Sequence, residues 1–288
     1  MKVLILGQGY IGSFLNKYLS DHFRTSCFKQ CALDYTNKND ISNFLAATNW
    51  DVVVNCSGFT GVPNVDNCEE EKNKCWFYNV VAPHTVLLAA DKYGIPVIHV
   101  SSGCIYTGYE RQFTENDEPN FGLYNSASSY YSKTKHAFET IAKNFNACIL
   151  RVRMPFDGTL NRKNYINKIF KYDNLISQPN SITSVTDLSD LIKQIILNVK
   201  NMPVGPLNAV NHGSVEANQV VDMLKSEGVS NPNWQIIDIK NLNTVAQRSN
   251  CVLDSYKLFS LGYNMPTSLQ SLERDVKEFA AQIKQAQA

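Results

Sequence analysis

No apolar run in this 288-residue chain is long enough to cross a bilayer, which excludes a helical membrane protein. Neither sign of charge dominates: 27 basic residues stand against 26 acidic ones, for a formal net charge of +1. There is no basic tail and no Lys/Arg cluster, so a nucleic-acid partner is not indicated. Cysteine is not scarce, but its motifs are missing. Cys27, Cys31, Cys56, Cys68, Cys75, Cys104, Cys148 and Cys251 include no CxxC. His84, His99 and His212 do not form a metal spacing, so no metal is expected. Internal repeats and low-complexity linkers are also lacking. No charged-then-apolar leader precedes the first strand. These absences lead to the expectation of a reducing, cytoplasmic protein with free thiols and no membrane partner.

With 44% hydrophobic and 18% charged residues the chain is globular and can bury a full core. Its first dozen residues organise the rest. Lys2–Leu6 is a short apolar strand, Gly7-Gln8-Gly9-Tyr10-Ile11-Gly12 follows at once, and Phe14, Leu15, Tyr18 and Leu19 then recur at helical spacing. Strand, tight glycine turn and helix are the context a dinucleotide fingerprint requires. Gly7 permits the turn, Gly9 lets a pyrophosphate approach the backbone, and Gly12 lets helix and strand pack closely. The backbone amides around Tyr10 and Ile11, at the helix N-terminus, are the phosphate donors.

Further strands are predicted at 25–28, 51–56, 95–100, 148–152, 207–210 and 234–239, with helices at 41–47, 74–91, 130–144, 165–172, 187–199, 215–227 and 269–284. Pro83 should lie near the start of its helix or kink it. Residues 108–125 read as a polar loop. The near-continuous apolar strands fit a parallel sheet covered on both faces. The fold class is therefore α/β, a Rossmann-type doubly wound parallel sheet with a small C-terminal substrate-binding lobe. The expected division is a cofactor domain of residues 1–155 plus 181–211, and a lobe of 156–180 plus 212–288.

An acidic residue normally ends the second strand and takes the adenosine ribose hydroxyls. Here that strand ends Phe28-Lys29-Gln30. Lys29 suits a 2′-phosphate, which favours NADPH over NADH. Asp34 belongs near the adenine, and Ser57, just beyond the third strand, completes the cofactor set.

Tyr131 and Lys135 are i and i+4 on one helix and share a face. An ammonium beside a tyrosine favours the phenolate, and such a pair can protonate a carbonyl oxygen as hydride reaches the carbon. Ser102, ending the fourth strand at the carboxyl edge of the sheet, is placed to hold that oxygen. If the strand geometry persists, Ser102 and Cys104 point the same way.

The glycine turn, the SSxxIY segment and YxxxK occur in the order of the short-chain dehydrogenase/reductase superfamily, extended branch, which the chain resembles. Gly58–Glu69 (GFTGVPNVDNCE), Cys104–Tyr106, Pro119–Asn125 (PNFGLYN) and Tyr131–Lys135 (YSKTK) match one subgroup. So do Leu150–Pro155 (LRVRMP), Asn164–Ile169 (NYINKI) and Arg248–Asp254 (RSNCVLD). Nearly the whole chain is similar to the bifunctional UDP-4-keto-6-deoxyglucose 3,5-epimerase/4-reductases of UDP-L-rhamnose synthesis. One departure is the turn itself, GQGYIG, a residue shorter than the subgroup's GxxGxxG.

The resemblance implies that Cys104 is the base and Lys168 the acid for epimerisation at C3 and C5, and that Ser102, Tyr131 and Lys135 serve reduction at C4 with NADPH. It also implies a diphosphate contact at Arg248. Thr60, Asn64, Asn79, Arg153 and Asn164 complete the substrate side, Arg153 being either structural or pocket-lining. A separate 4,6-dehydratase would supply the UDP-sugar, and a homodimer is usual for the superfamily. Three other readings remain open: a 4-keto-sugar reductase alone, an epimerase that oxidises C4 transiently with bound NAD+, and a non-catalytic regulatory subunit of this fold.

Overall fold

The computed structural model describes residues 1–241 and 244–287. β1 (Lys2–Leu6) runs into the glycine turn and α1 (Tyr10–Ser20), then β2 (Arg24–Phe28), α2 (Lys38–Ala46) and β3 (Val52–Asn55) follow. Asn37 caps α2, its side chain accepting from the amides of Asn39 and Asp40. The helix expected over 74–91 is present and starts two residues earlier, with a π turn inside it. α3 (Asn67–Glu70) precedes it as a separate short helix; the predicted stretch itself is helical without a break through α4 (Lys72–Trp76), a π-helical turn (Phe77–Val81) and α5 (Ala82–Asp91), with Pro83 in the first turn of α5. Proline removes one backbone donor there, directly after the π turn, where the regular i→i−4 ladder already changes register.

β4 (Val97–Ser102), β5 (Gly108–Phe113), α6 (Tyr130–Ala142) and β6 (Ala147–Val152) complete the first half. Then come β7 (Pro155–Phe156), α7 (Tyr165–Lys171), β8 (Asn174–Leu175), β9 (Thr183–Ser184), α8 (Val185–Leu197) and β10 (Gly205–Asn208). The chain ends with α9 (Ala217–Ser226), β11 (Gln235–Ile236), β12 (Cys251–Leu253), α10 (Tyr256–Ser260) and α11 (Ser268–Gln287). The strand expected over 234–239 shrinks to β11, both of whose residues are exposed.

The central sheet is six-stranded, parallel throughout, in the order β10-β6-β4-β3-β1-β2. Side chains alternate across it. Val3, Ile5, Val52 and Val54 pack with Leu15 and Leu19 of α1 and Leu188, Leu191 and Ile195 of α8. Leu4, Leu6 and Val53 face the other way, toward Ile41, Leu45, Leu87 and Phe138. Burial on both faces is why these strands read as unbroken apolar runs. The chain leaves β1 for β2 on one side and returns to β3 on the other. The switch point therefore lies between β1 and β3, where the crevice of such a sheet opens at the strand carboxyl ends.

A second core gathers Phe156, Ile166, Ile182, Val220, Leu224, Leu272, Val276 and Phe279. Residues 108–113, read as loop, instead form β5 and pair in parallel with β12. Tyr106, Phe113, Cys251 and Leu253 are buried around that pair. The pairing carries Arg248 and Ser249 back to the end of β4.

Candidate active site

The glycine turn occupies the switch point. Gly7 has φ +91°, and a Cβ there would lie 2.6 Å from the Ser57 amide nitrogen. A Cβ on Gly12 would lie 2.0 Å from the Gly7 carbonyl oxygen, whereas one on Gly9 would meet nothing within 4 Å. Gly7 and Gly12 thus pack backbone on backbone and Gly9 faces open space. No side chain caps α1, so the amides of Tyr10, Ile11 and Gly12 keep their orphan donors. The open cradle and these donors fit a dinucleotide pyrophosphate. The Tyr10 hydroxyl is buried without a hydrogen-bond partner, as is Asp157 Oδ2, and burial followed by the Asp157 charge raises the phenol pKa. Asn55 Oδ1 accepts from both the Ser57 amide (3.0 Å) and hydroxyl (2.6 Å). Lys29 is exposed just past β2. Asp34 accepts from the Thr36 amide and hydroxyl and from Gln30; the Thr36 hydroxyl contributes most to lowering its carboxyl pKa.

Ser129 caps α6, and Glu69 accepts from the Tyr130 amide at 2.6 Å, a carboxylate at the positive end of the helix. One turn in, Tyr131 and Lys135 are 8% and 4% exposed, with the Lys135 ammonium 5.8 Å from the Tyr131 ring centre. The lysine does not dominate the Tyr131 environment. Burial dominates and raises the Tyr131 pKa, and the neighbouring Cys104 adds to the rise, against a lowering hydrogen bond from Ser102. Tyr131 therefore holds its proton, the form a donor to a carbonyl oxygen needs. Burial also lowers the Lys135 pKa.

Asn79, in the π turn, braces this face. Its Oδ1 accepts from the Phe59 amide at 2.8 Å, and its Nδ2 donates to the Phe59 carbonyl (2.8 Å), Thr134 Oγ1 (3.1 Å) and Cys75 Sγ (3.3 Å). The extra residue of a π turn is what turns this side chain toward the strand end.

β4 ends at Ser102, so Ser102 and Cys104 are joined by a turn and not by strand alternation: the Cys104 amide donates to Ser102 Oγ at 3.2 Å. Cys104 is half-buried and receives a hydrogen bond from Arg153 Nη1 at 3.5 Å. Lys168, on α7, reaches Cys104 electrostatically. Its pKa is lowered by burial first and by the Lys163 charge second.

Several predicted substrate residues have polar atoms already engaged. Thr60 accepts from Lys163 Nζ at 2.8 Å, and Asn64 Oδ1 accepts from the Asp66 amide. Asn164 is fully buried; it caps α7 and donates to the Asp157 and Thr159 carbonyls. Arg248 makes two parallel 2.9 Å bonds to Asp66. Arg153 is 1% exposed and bonds to Ser249, Asn180 and Cys104. Lys163, Asp66, Thr134, Asn180 and Ser249 were not picked out from sequence. Their contacts are long-range, and no local spacing marks them.

The family described as RmlD substrate binding domain matches residues 1–284. A bifunctional dTDP-4-dehydrorhamnose 3,5-epimerase/dTDP-4-dehydrorhamnose reductase of Arabidopsis thaliana is 33% identical over 267 residues, covering 88% of this chain and 85% of that protein. A trifunctional UDP-glucose 4,6-dehydratase/UDP-4-keto-6-deoxy-D-glucose 3,5-epimerase/UDP-4-keto-L-rhamnose-reductase of the same plant is 31% identical over 277 residues; the match covers 90% of this chain but 39% of that protein. Among solved structures, the L780 UDP-rhamnose synthase of Acanthamoeba polyphaga mimivirus superposes with TM-score 0.86 at 26% identity, over 96% of this chain and 99% of that one.

Proposed function

The chain belongs to the RmlD substrate-binding domain family, and from that premise we propose that it epimerises UDP-4-keto-6-deoxy-D-glucose at C3 and C5 and reduces C4 to give UDP-L-rhamnose. The observation that carries this reading is a single turn. Residues 102–104 put the Ser102 hydroxyl against Tyr131 and the Cys104 thiol beside the fields of Lys168 and Arg153. A reductase alone has no use for the second half of that arrangement.

The ketone acidifies the protons on both flanking carbons. Cys104, as thiolate, takes the proton from C5 or C3: the C–H bond breaks, an S–H bond forms, and the electron pair moves to the C4 oxygen. Ser102 and the protonated Tyr131 hydrogen-bond that oxyanion. Lys168 returns a proton to the opposite face of the carbon, and both groups exchange with solvent before the second epimerisation. A nicotinamide held at the glycine turn would supply the hydride for C4. Tyr131 protonates the oxygen, and Lys135 stabilises the phenolate left behind. Gly7, Gly9 and the amides of Tyr10, Ile11 and Gly12 hold the pyrophosphate, and Lys29 favours the 2′-phosphate of NADPH. A separate 4,6-dehydratase supplies the substrate, in keeping with the plant protein that carries dehydratase and epimerase/reductase activities in one chain. The working form is a homodimer.

The test is incubation with UDP-4-keto-6-deoxyglucose and NADPH in deuterated water, with NMR of the product. Deuterium at C3 and C5 of UDP-L-rhamnose, abolished in folded Cys104→Ala, is the expected result. NADPH consumed without deuterium incorporation leaves a plain 4-reductase.

A further inference from the structure

Arg153 is a buried cation without a buried anion. Its side chain is 1% exposed. Nη1 donates to Ser249 Oγ (2.7 Å) and Cys104 Sγ (3.5 Å); Nη2 donates to Asn180 Oδ1 and the Ser249 carbonyl (3.1 Å). Nε has no partner among the described residues. Arg151, Arg248 and Arg274 each pair with a carboxylate, but Arg153 pairs with none among the described residues. The acids whose fields reach it are Cys251, Cys104, Tyr109 and Tyr165, all neutral in their ordinary protonated forms. An uncompensated buried charge is costly, and a fold keeps one where an opposite charge appears in use. Cys104 is the acid that touches the guanidinium, and it lies on the catalytic turn.

We propose that Arg153 is the positioning residue that holds Cys104 as the thiolate base, clamped for that purpose by Ser249 and Asn180. The inference rests on the epimerase reading of the site.

Other groups face the same thiol. Tyr131 and Lys135 look onto it from α6, Lys168 from α7 and Cys251 from β12, while Cys68 and Cys75 share its apolar surround. The two lysines do not serve as the standing counter-charge. Lys135 lies over the Tyr131 ring and serves that phenol, and Lys168 loses its charge each time it protonates the sugar. A guanidinium stays charged at every working pH. Its directed N–H also fixes where the sulfur sits. Ser249 reaches the site only through the β5–β12 pairing, and its hydroxyl in turn donates to the Tyr106 carbonyl at 2.5 Å. The clamp is thus tied to the segment that follows Cys104.

The test is alkylation of the full-length protein with iodoacetamide across about pH 6 to 10, read peptide by peptide by mass spectrometry so that Cys104 is followed alone. In Arg153→Met the Cys104 midpoint should move to higher pH by about one unit or more, an approximately tenfold slower reaction at neutral pH. Arg153→Lys, which keeps a charge, should restore part of the shift. Deuterium incorporation at C3 and C5 should fall with the thiolate fraction and recover as pH is raised. A folded Arg153→Met with the wild-type Cys104 profile overturns the inference even where wild type incorporates deuterium. If Arg153→Met does not fold, Ser249→Ala decides: a shift in the same direction supports the clamp, and an unchanged profile overturns it. Wild-type protein that consumes NADPH without incorporating deuterium overturns the epimerase reading, and this inference with it, whatever the thiol titration shows.

Discussion

Asn79→Ala tests whether the π turn is what holds the cofactor side of the site in place. The side chain is 1% exposed and makes four hydrogen bonds, two of them to the Phe59 backbone on the loop after β3. That loop also carries Gly58, whose Cα environment is tight: an added Cβ would lie 3.2 Å from Asn79 Oδ1 and 3.5 Å from Lys135 Nζ. Each bond contributes about 1 kcal/mol net, and the Phe59 groups regain part of that from water because they are only partly buried. The expected loss is about 2–3 kcal/mol, or a fall in Tm of about 3–5 °C for a chain of this size. Urea unfolding of the cofactor-free protein measures the first quantity, and a fluorescence titration with NADPH should show weaker binding as the Gly58–Phe59 backbone drifts. Asn79→Asp should not rescue either quantity. It keeps an acceptor for the Phe59 amide but places a buried carboxylate oxygen against the Phe59 carbonyl. A loss below about 0.5 kcal/mol with unchanged NADPH affinity would refute the bracing role, since one net hydrogen bond alone exceeds it.

Three further outcomes are expected. Gly12→Ala puts a Cβ 2.0 Å from the Gly7 carbonyl, a backbone atom with no freedom to turn aside, so NADPH binding by equilibrium titration should be lost. Lys163→Met should move the alkaline limb of deuterium incorporation to higher pH. Lys168 acts protonated, so its activity falls as pH rises through its pKa; burial and the Lys163 charge lower that pKa, and removing the charge raises it. Arg151→Met strands Glu139 as a buried, unpaired carboxylate and should cost about 3–5 kcal/mol by urea unfolding; a cost near that of a surface substitution would show the pair to be dispensable.

The sheet was legible because its strands alternate between two apolar faces and are buried on both, a pattern local to each strand. The glycine turn was legible because Gly7 and Gly12 answer to backbone contacts within one β-α unit. What sequence could not reveal depends on chain segments far apart. Residues 108–113 look like loop, because GYERQF is polar and exposed over most of its length; it becomes a strand only when residues 251–253 lie beside it. The helix over 74–91 was legible, but nothing local announces the π turn around Asn79 inside it. Ser102 and Cys104 were paired by strand alternation, yet a turn joins them. Arg248 was read as a diphosphate contact, and only the fold reveals the Asp66 carboxylate that it pairs with. The Tyr131–Lys135 spacing was visible; that burial would raise the Tyr131 pKa was not, because desolvation is a property of the packed site.

The segment Arg151-Val152-Arg153 shows how position alone divides labour between two identical side chains. Arg151 is on β6, 3% exposed, and its Nε and Nη2 grip Glu139 at 3.0 and 2.8 Å while Nη1 donates to the Tyr106 hydroxyl. Its charge is matched by a permanent anion, and the pair adds directional hydrogen bonds to the seam between α6 and the sheet. Arg153 is two residues on, just past the strand, where the backbone departs from extended geometry: Met154 has φ +39°, uncommon for a residue with a side chain. The Arg153 side chain reaches the turn following β4, where it meets Cys104, Ser249 and Asn180 and no carboxylate among the described residues. Were Arg153 only packing, a neutral side chain of similar length would fill the space without the cost of a buried charge. A fold that matches one arginine with a glutamate and leaves the next facing a thiol has placed the second where its charge is balanced only when that thiol ionises.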